Sequence, residues 1–207
     1  VSVLFLLALL GGCLTPATLS PIRYYTVSAA PVQQSGPTHM KSLGIRPLIA
    51  ARPYKLEIAY RSGPNQLAYI HDAEWAELPS TATGRAIADG IVDSALFSDA
   101  GDAMVMARPD LVLTGELRRF EADYTTDPPA FVVGIDGAIR STPDGVALWQ
   151  SQIEVQIPLQ SSMAERGSDN ALTDLARAAS EAVSQLSENV CEEIRQALID
   201  QNTTSTP

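Results

Sequence analysis

Cys13 is the residue whose type and spacing most directly indicate chemistry in this chain. It follows Leu10, Gly11 and Gly12 at the end of an apolar run. The two glycines leave the backbone accessible to a peptidase, and the thiol can take a diacylglyceryl group before the chain is cut. This spacing predicts a bacterial lipoprotein signal over residues 1–12 and lipid attachment at Cys13.

The apolar run from Val3 to Leu10 is far shorter than the roughly 20 helical residues that cross a bilayer, which indicates a cleaved signal. Neither an initiator Met nor a basic stretch precedes Val1, so we expect that the first few residues of the precursor are missing. Two alternatives stay open: a secretory signal cut elsewhere, and a buried N-terminal strand with an incidental cysteine. Leu14, rather than Asp, follows the cysteine, which favours the outer membrane over inner-membrane retention.

The other residues of reactive type do not form a recognisable site. Cys191 has no second cysteine for a disulfide once Cys13 is acylated, and the surrounding periodicity predicts a buried thiol. His71 begins the segment His-Asp-Ala-Glu, but a metal site needs three or four converging ligands, and His39 is distant in sequence. The sequence also lacks a G-x-S-x-G elbow and a phosphate-binding glycine loop. We expect no metal, no cofactor and no enzymatic activity, with both histidines in solvated turns.

Alternating apolar residues separated by turn signals predict a series of strands. Pro47 marks the second of these as an edge strand or a bulged one, because proline cannot donate to a ladder. A shift of phase near Arg118 and Arg119 predicts a β-bulge, and Thr-Pro-Asp-Gly at 142–145 is the strongest turn signal. The predicted strands are residues 23–30, 43–49, 55–60, 66–70, 110–124, 131–140 and 149–157.

Two stretches have helical periodicity. The first begins near Pro79, where the missing N–H would have no partner anyway, and ends by the turn at 98–101. The second covers 170–198, with apolar residues every three or four positions and a cap at Ser168 or Asp169. The order of the predicted strands and helices along the chain predicts an α+β fold. We expect a mostly antiparallel sheet with two helices packed on one face, the second helix long and C-terminal.

The composition supports one folded unit behind the signal. About 190 residues remain after it, enough for one domain with a core. The net charge of −10 argues against nucleic acid as a partner and leaves membrane attachment to the acyl group. The predicted segments are the signal (1–12), the acylated cysteine and tether (13–22), a single α+β domain (23–199) and a disordered polar tail (200–207).

Several short motifs follow one another in a recognisable order. They are Leu10–Cys13, Tyr24–Val27, Gly44–Ile49, Ala73–Leu78, Asp110–Glu121 and the alanine-rich terminal helix. Together they resemble the PqiC-like family of ABC-type transport auxiliary lipoproteins over about residues 13–199. The family pattern usually has a Leu-Pro-x-Tyr-Leu-like second strand and an Arg before the Trp, whereas this chain has Arg46-Pro47-Leu48-Ile49-Ala50 and Glu74-Trp75.

The resemblance implies a non-catalytic, periplasm-facing lipoprotein of a lipid-trafficking ABC system, positioned at the outer membrane. The implied partners are an MCE-domain (MlaD-like) protein with its permease and ATPase, and the membrane through acylated Cys13. The expected contact surfaces are exposed aromatic side chains and the polar face of the sheet. The candidate contact residues are Trp75, Phe120, Phe131 and Trp149. A core position is the alternative for Trp75 and for Trp149, which is in phase with inward residues.

Two other roles stay open for this sequence. One is a lipoprotein that holds a lipid or small amphiphile between the long helix and the sheet. The other is a factor for outer-membrane assembly. Whether the chain forms a homo-oligomer is open as well.

Overall fold

Nine strands and two helices form the part of the chain that the structure describes, which is residues 21–32 and 39–204 of a computed structural model. The strands belong to one mixed sheet, and both helices pack on one of its faces. The elements are β1 (Arg23–Tyr25), β2 (His39–Ile45), β3 (Ile49–Ala50), β4 (Glu57–Gly63), β5 (Gln66–Trp75), α1 (Pro79–Asp93), β6 (Phe97–Asp102), β7 (Leu111–Asp123), β8 (Ala130–Ser141), β9 (Ala147–Pro158) and α2 (Asp169–Thr204).

Strand β7 is the centre of the sheet. Along one edge it pairs in succession with three short strands, β2, β3 and β4, all of them parallel to it. Along the other edge it pairs over its whole length with antiparallel β8, which in turn pairs with antiparallel β9. Because the long pairings are antiparallel, the prediction of a mostly antiparallel α+β sheet is confirmed.

The predicted bulge is present in β7. Leu117 pairs with Ile135 and Arg119 with Gly134, so Arg118 is the extra residue. This insertion reverses the alternation and turns Phe120 toward the helices. The hairpin of β4 and β5 is also as predicted, although β5 continues to Trp75.

Of the two alternatives for the second strand, the edge position was wrong, whereas an irregularity is present between His39 and Ser42 of β2. β2 lies between β6 and β7, with Leu43 opposite both Ala100 and Leu111, so it is not an edge strand. Pro47 falls in the break between β2 and β3, where the backbone has no ladder to complete.

Strand β6 was not predicted. Its residues include Ser98–Gly101, which we expected to form the turn after the first helix. They have low β-propensity and form a strand through parallel pairing with β2.

The helices begin where their capping residues predict. Pro79 is in the first turn of α1, and the Ser168 hydroxyl accepts a 3.2 Å hydrogen bond from the N–H of Ala171 at the start of α2. α2 continues to Thr204, beyond the predicted domain boundary at 199 and into the predicted tail. Within the described part of the chain, no helix is both long enough and apolar enough to cross a membrane.

Candidate functional site

The four aromatic residues expected to contact a partner lie in the core. Trp75, Phe120 and Phe131 are at most 2% exposed and pack edge to face, with ring centroids 5.1–6.1 Å apart. Trp149 is 6% exposed. The prediction that these four side chains are exposed contact points is therefore wrong. Each side chain lies on the helix-facing side of its strand or at the end of the strand, where burial of a large ring is most favourable.

The predicted lipid-attachment residue and the lipobox before it lie outside the described residues. These are Cys13 and the preceding Leu10, Gly11 and Gly12, together with the predicted signal and most of the tether. Their roles stay predictions.

The remaining thiol and histidines do not form a reactive centre. Cys191 is fully buried, and burial raises the pKa of its thiol to about 12, so it is a weak nucleophile. His39 and His71 belong to β2 and β5 rather than to the turns that we expected. No group of three or more metal-binding side chains occurs among the described residues.

The face of the sheet opposite the helices is polar over its three long strands. Cross-strand pairing aligns Glu116 of β7 with Asp136 of β8, and Asp136 with Gln152 of β9. The next row joins Arg119, Gly134 and Glu154. We call these six residues, with Arg118 and Gln150, the polar sheet face.

The charges on the polar sheet face are paired with one another. Arg118 lies 3.1 Å from Glu116 and 3.7 Å from Asp136, and Arg119 lies 3.1 Å from Glu154. Two shallow depressions of about 500 and 540 Å³ share Asp136 and Gln152. The surface therefore offers alternating donors and acceptors with little net charge.

A buried carboxylate holds one end of this face rigid. Glu121 is fully buried and accepts hydrogen bonds from the Tyr54 hydroxyl (2.8 Å), Arg61 Nε (2.7 Å) and Arg119 Nη2 (2.8 Å). Burial and the neighbouring carboxylate raise the pKa of Tyr54, so it remains a donor. The cluster fixes the loop before β4 on the sheet.

The space between the long helix and the sheet is filled. A partly open cavity beside it, lined by Gly84 of α1, Trp149 of β9 and Val190 of α2, has a volume of only about 20 Å³, enough for a single water molecule. This geometry does not favour a lipid held between α2 and the sheet.

The fold defines a class: an α+β domain with a mixed open sheet covered on one face by two helices. The chain belongs to the family of ABC-type transport auxiliary lipoprotein components, whose model matches residues 25–191. The family consists of transport components rather than enzymes. The predicted resemblance is thereby confirmed.

Solved structures share the fold at low sequence identity. Protein XCC0632 from Xanthomonas campestris is 20% identical with a TM-score of 0.71, and the match covers 86% of this chain and 98% of that one. An uncharacterized protein is 12% identical with a TM-score of 0.62, with coverage of 84% and 99%. No curated protein matches the chain.

Proposed function

We propose that this chain is the periplasm-facing lipoprotein of an MCE-type ABC system for lipid trafficking between membranes, and that it docks the periplasmic part of the transporter at the outer membrane. The observation that carries the proposal is the family match over residues 25–191, which covers α1, the strands from β2 to β9 and most of α2. The MCE partner itself is inferred from the resemblance of the sequence motifs.

A lipid at Cys13 would keep the domain close to the membrane. Arg23, the first residue of β1, lies ten positions after Cys13, and a chain of that length reaches at most about 36 Å. The two or three acyl chains of a mature lipoprotein hold firmly, whereas one holds weakly. Confinement near the membrane raises the effective concentration at an arriving partner, so modest intrinsic affinity is enough for docking.

The polar sheet face is the contact surface that we propose for the transporter. The four candidate aromatics are buried, whereas Gln150, Gln152 and Glu154 are accessible on rigid strands. A polar, nearly neutral surface favours a wet interface with matched hydrogen bonds over a hydrophobic one.

Site-specific photo-crosslinking in membranes tests the proposed partner. A photoreactive amino acid at Gln152 is expected to trap an MCE-domain protein, because this side chain is exposed in the middle of the polar sheet face. The same amino acid at Gln185, exposed on α2, is the matched control. Recovery of no transporter subunit from either position would count heavily against the proposed function.

The anchor is tested separately by Cys13→Ser. We expect the variant to fold, to be released from the membrane and to fail in complementation of a deletion strain. Full complementation by this unanchored variant would contradict the role given to tethering.

A further inference from the structure

A second surface, remote from the polar sheet face, has the features of a binding groove. It lies between α1 and the segment joining β2 to β3, and its volume is about 420 Å³. That is within the range of small-molecule sites. Small α1 residues form one wall, Thr81, Gly84 and Ala88, and Pro47 and Leu48 lie on the other.

Leu48 closes the bottom of this groove. A Cβ added at Gly84 would lie 3.1 Å from the Leu48 Cβ, and one added at Gly115 would lie 2.8 Å from its Cδ1. The side chain thus occupies a slot between two glycines that is wide enough for one aliphatic chain. The partly open cavity of about 20 Å³ adjoins the groove, because Ile45, Leu48 and Gly84 line both.

An unpaired cation lies at the groove. The exposed Arg46 guanidinium has no ion pair or hydrogen bond to any residue that the structure describes. Two carboxylates, Asp89 and Asp102, also line the groove. Asp102 accepts the Met104 N–H at 2.8 Å, and Asp89 attracts Arg85, which donates to Glu77 at 2.9 Å. Arg46 is therefore available to an anionic group.

An exposed apolar side chain lies at the groove. Val92 lines it and is 49% exposed. Apolar surface next to an apolar groove with one free cation favours a molecule with a long hydrocarbon part and a single negative charge.

We propose that this groove binds a long-chain fatty acid, with the hydrocarbon chain along α1 and the carboxylate at Arg46. Ile45, Pro47, Leu48 and Val92 supply the apolar lining for the hydrocarbon chain. This binding site does not depend on the MCE partner.

The test uses the full lipidated chain in phosphatidylcholine nanodiscs with hexadecanoate that carries a photoreactive diazirine. After illumination, the labelled peptides are mapped by mass spectrometry. Labelling is expected in residues 45–48 and 80–92, and excess unlabelled hexadecanoate should remove it. Labelling confined to other regions would overturn the proposal.

Three variants and two controls define the site. Thr81→Trp places a ring over the groove and is expected to abolish competable labelling, whereas Gln185→Trp on α2 should not. Arg46→Gln should reduce labelling by about two- to fivefold, as for an exposed ion pair, while Arg52→Gln should not. Leu48→Ala opens the slot to the adjoining cavity and should increase labelling. Unchanged labelling in Thr81→Trp would overturn the proposal.

The head group is tested with a diazirine probe of the same chain length that ends in trimethylammonium. The carboxylate probe should label the wild-type groove more strongly, and Arg46→Gln should remove the difference. Equal labelling of wild type by both probes would overturn the role of Arg46. Circular dichroism of every variant controls for folding.

Discussion

The indole Nε1 of Trp149 donates a 3.1 Å hydrogen bond to Oε2 of Glu193 and so joins β9 to the C-terminal half of α2. The ring lies against Gly137, where an added Cβ would come within 2.7 Å of it. Trp149 therefore stabilises the fold, and its position explains why α2 packs on β9, an outer strand of the sheet.

Replacement of Trp149 by Phe removes this hydrogen bond to a charged group. We expect a loss of about 1.5–3 kcal/mol in the free energy of unfolding. Urea denaturation with an unchanged m-value measures it. Glu193→Gln keeps an acceptor oxygen and should cost less. Wild-type stability in Trp149→Phe would contradict this role.

Two glycines of α1, Gly84 and Gly90, should respond differently to replacement by alanine. At Gly90 an added Cβ would lie 2.7 Å from Ser187 Oγ and 2.8 Å from Val32 Cγ2, so we expect Gly90→Ala to destabilise by about 1–3 kcal/mol. At Gly84 only Leu48 is close, at 3.1 Å, and the helix-propensity gain of about 1 kcal/mol should offset that contact. Thermal unfolding of both variants compares them, and equal effects would refute the packing argument.

Neutralisation of Glu121 should be the most damaging change on the sheet face. The carboxylate is fully buried between two guanidinium groups, and Glu121→Gln removes the carboxylate that pairs with Arg61 and one of the three that pair with Arg119. We expect a loss of about 3 kcal/mol, the lower end for a broken buried pair because both arginines are partly exposed. Glu116→Gln is the matched control, since its pair with Arg118 is exposed and should contribute less than about 1 kcal/mol. Chemical denaturation of both variants measures the difference in their free energies of unfolding.

Acid stability should depend on Asp174. Burial alone raises the pKa of its carboxyl, but hydrogen bonds from Arg177 and from the N–H groups of Gln160 and Ser161 bring it below the ordinary value of 3.8. The contribution of this carboxylate to the free energy of unfolding is complete above the ordinary pKa. It is lost as the pH falls through the lower pKa of the folded state. Asp174→Asn should therefore reduce the slope of stability against pH on the acid side.

Unfolding curves between about pH 2 and 6 measure this slope, a range that brackets the ordinary carboxyl pKa values. Asp93→Asn, at an exposed position in the last turn of α1, controls for the loss of one charge. If stability falls with decreasing pH in Asp174→Asn as it does in the wild type, the hydrogen bonds to this carboxylate do not stabilise the fold.

Local patterns predicted the elements that depend on local physics. The hairpin of β4 and β5, the meander from β7 to β9 and the bulge at Arg118 all follow from alternation and turn residues. The parallel pairings could not be predicted this way, because β2, β3 and β4 meet β7 through backbone ladders that leave no periodic signature. For the same reason the polar residues of β6 were assigned to a turn.

The surfaces were predicted less well than the strands. The alternation in β9 indicated both the inward position of Trp149 and the polar outward row with Gln152. The groove at Arg46 was not anticipated, because its walls come from α1, from the segment before β3 and from the end of β6, which are distant in sequence.

The central position of β7 also determines when the sheet can close during synthesis. Tyr60 of β4 pairs with Ala122 of β7, a residue 62 positions later in the chain. At about 5–20 residues per second, that partner is made roughly 3–12 s after Tyr60. Until then β2, β3 and β4 present unpaired backbone edges, which are templates for aggregation. The nascent chain therefore depends, for several seconds, on whatever shields its first half from other chains.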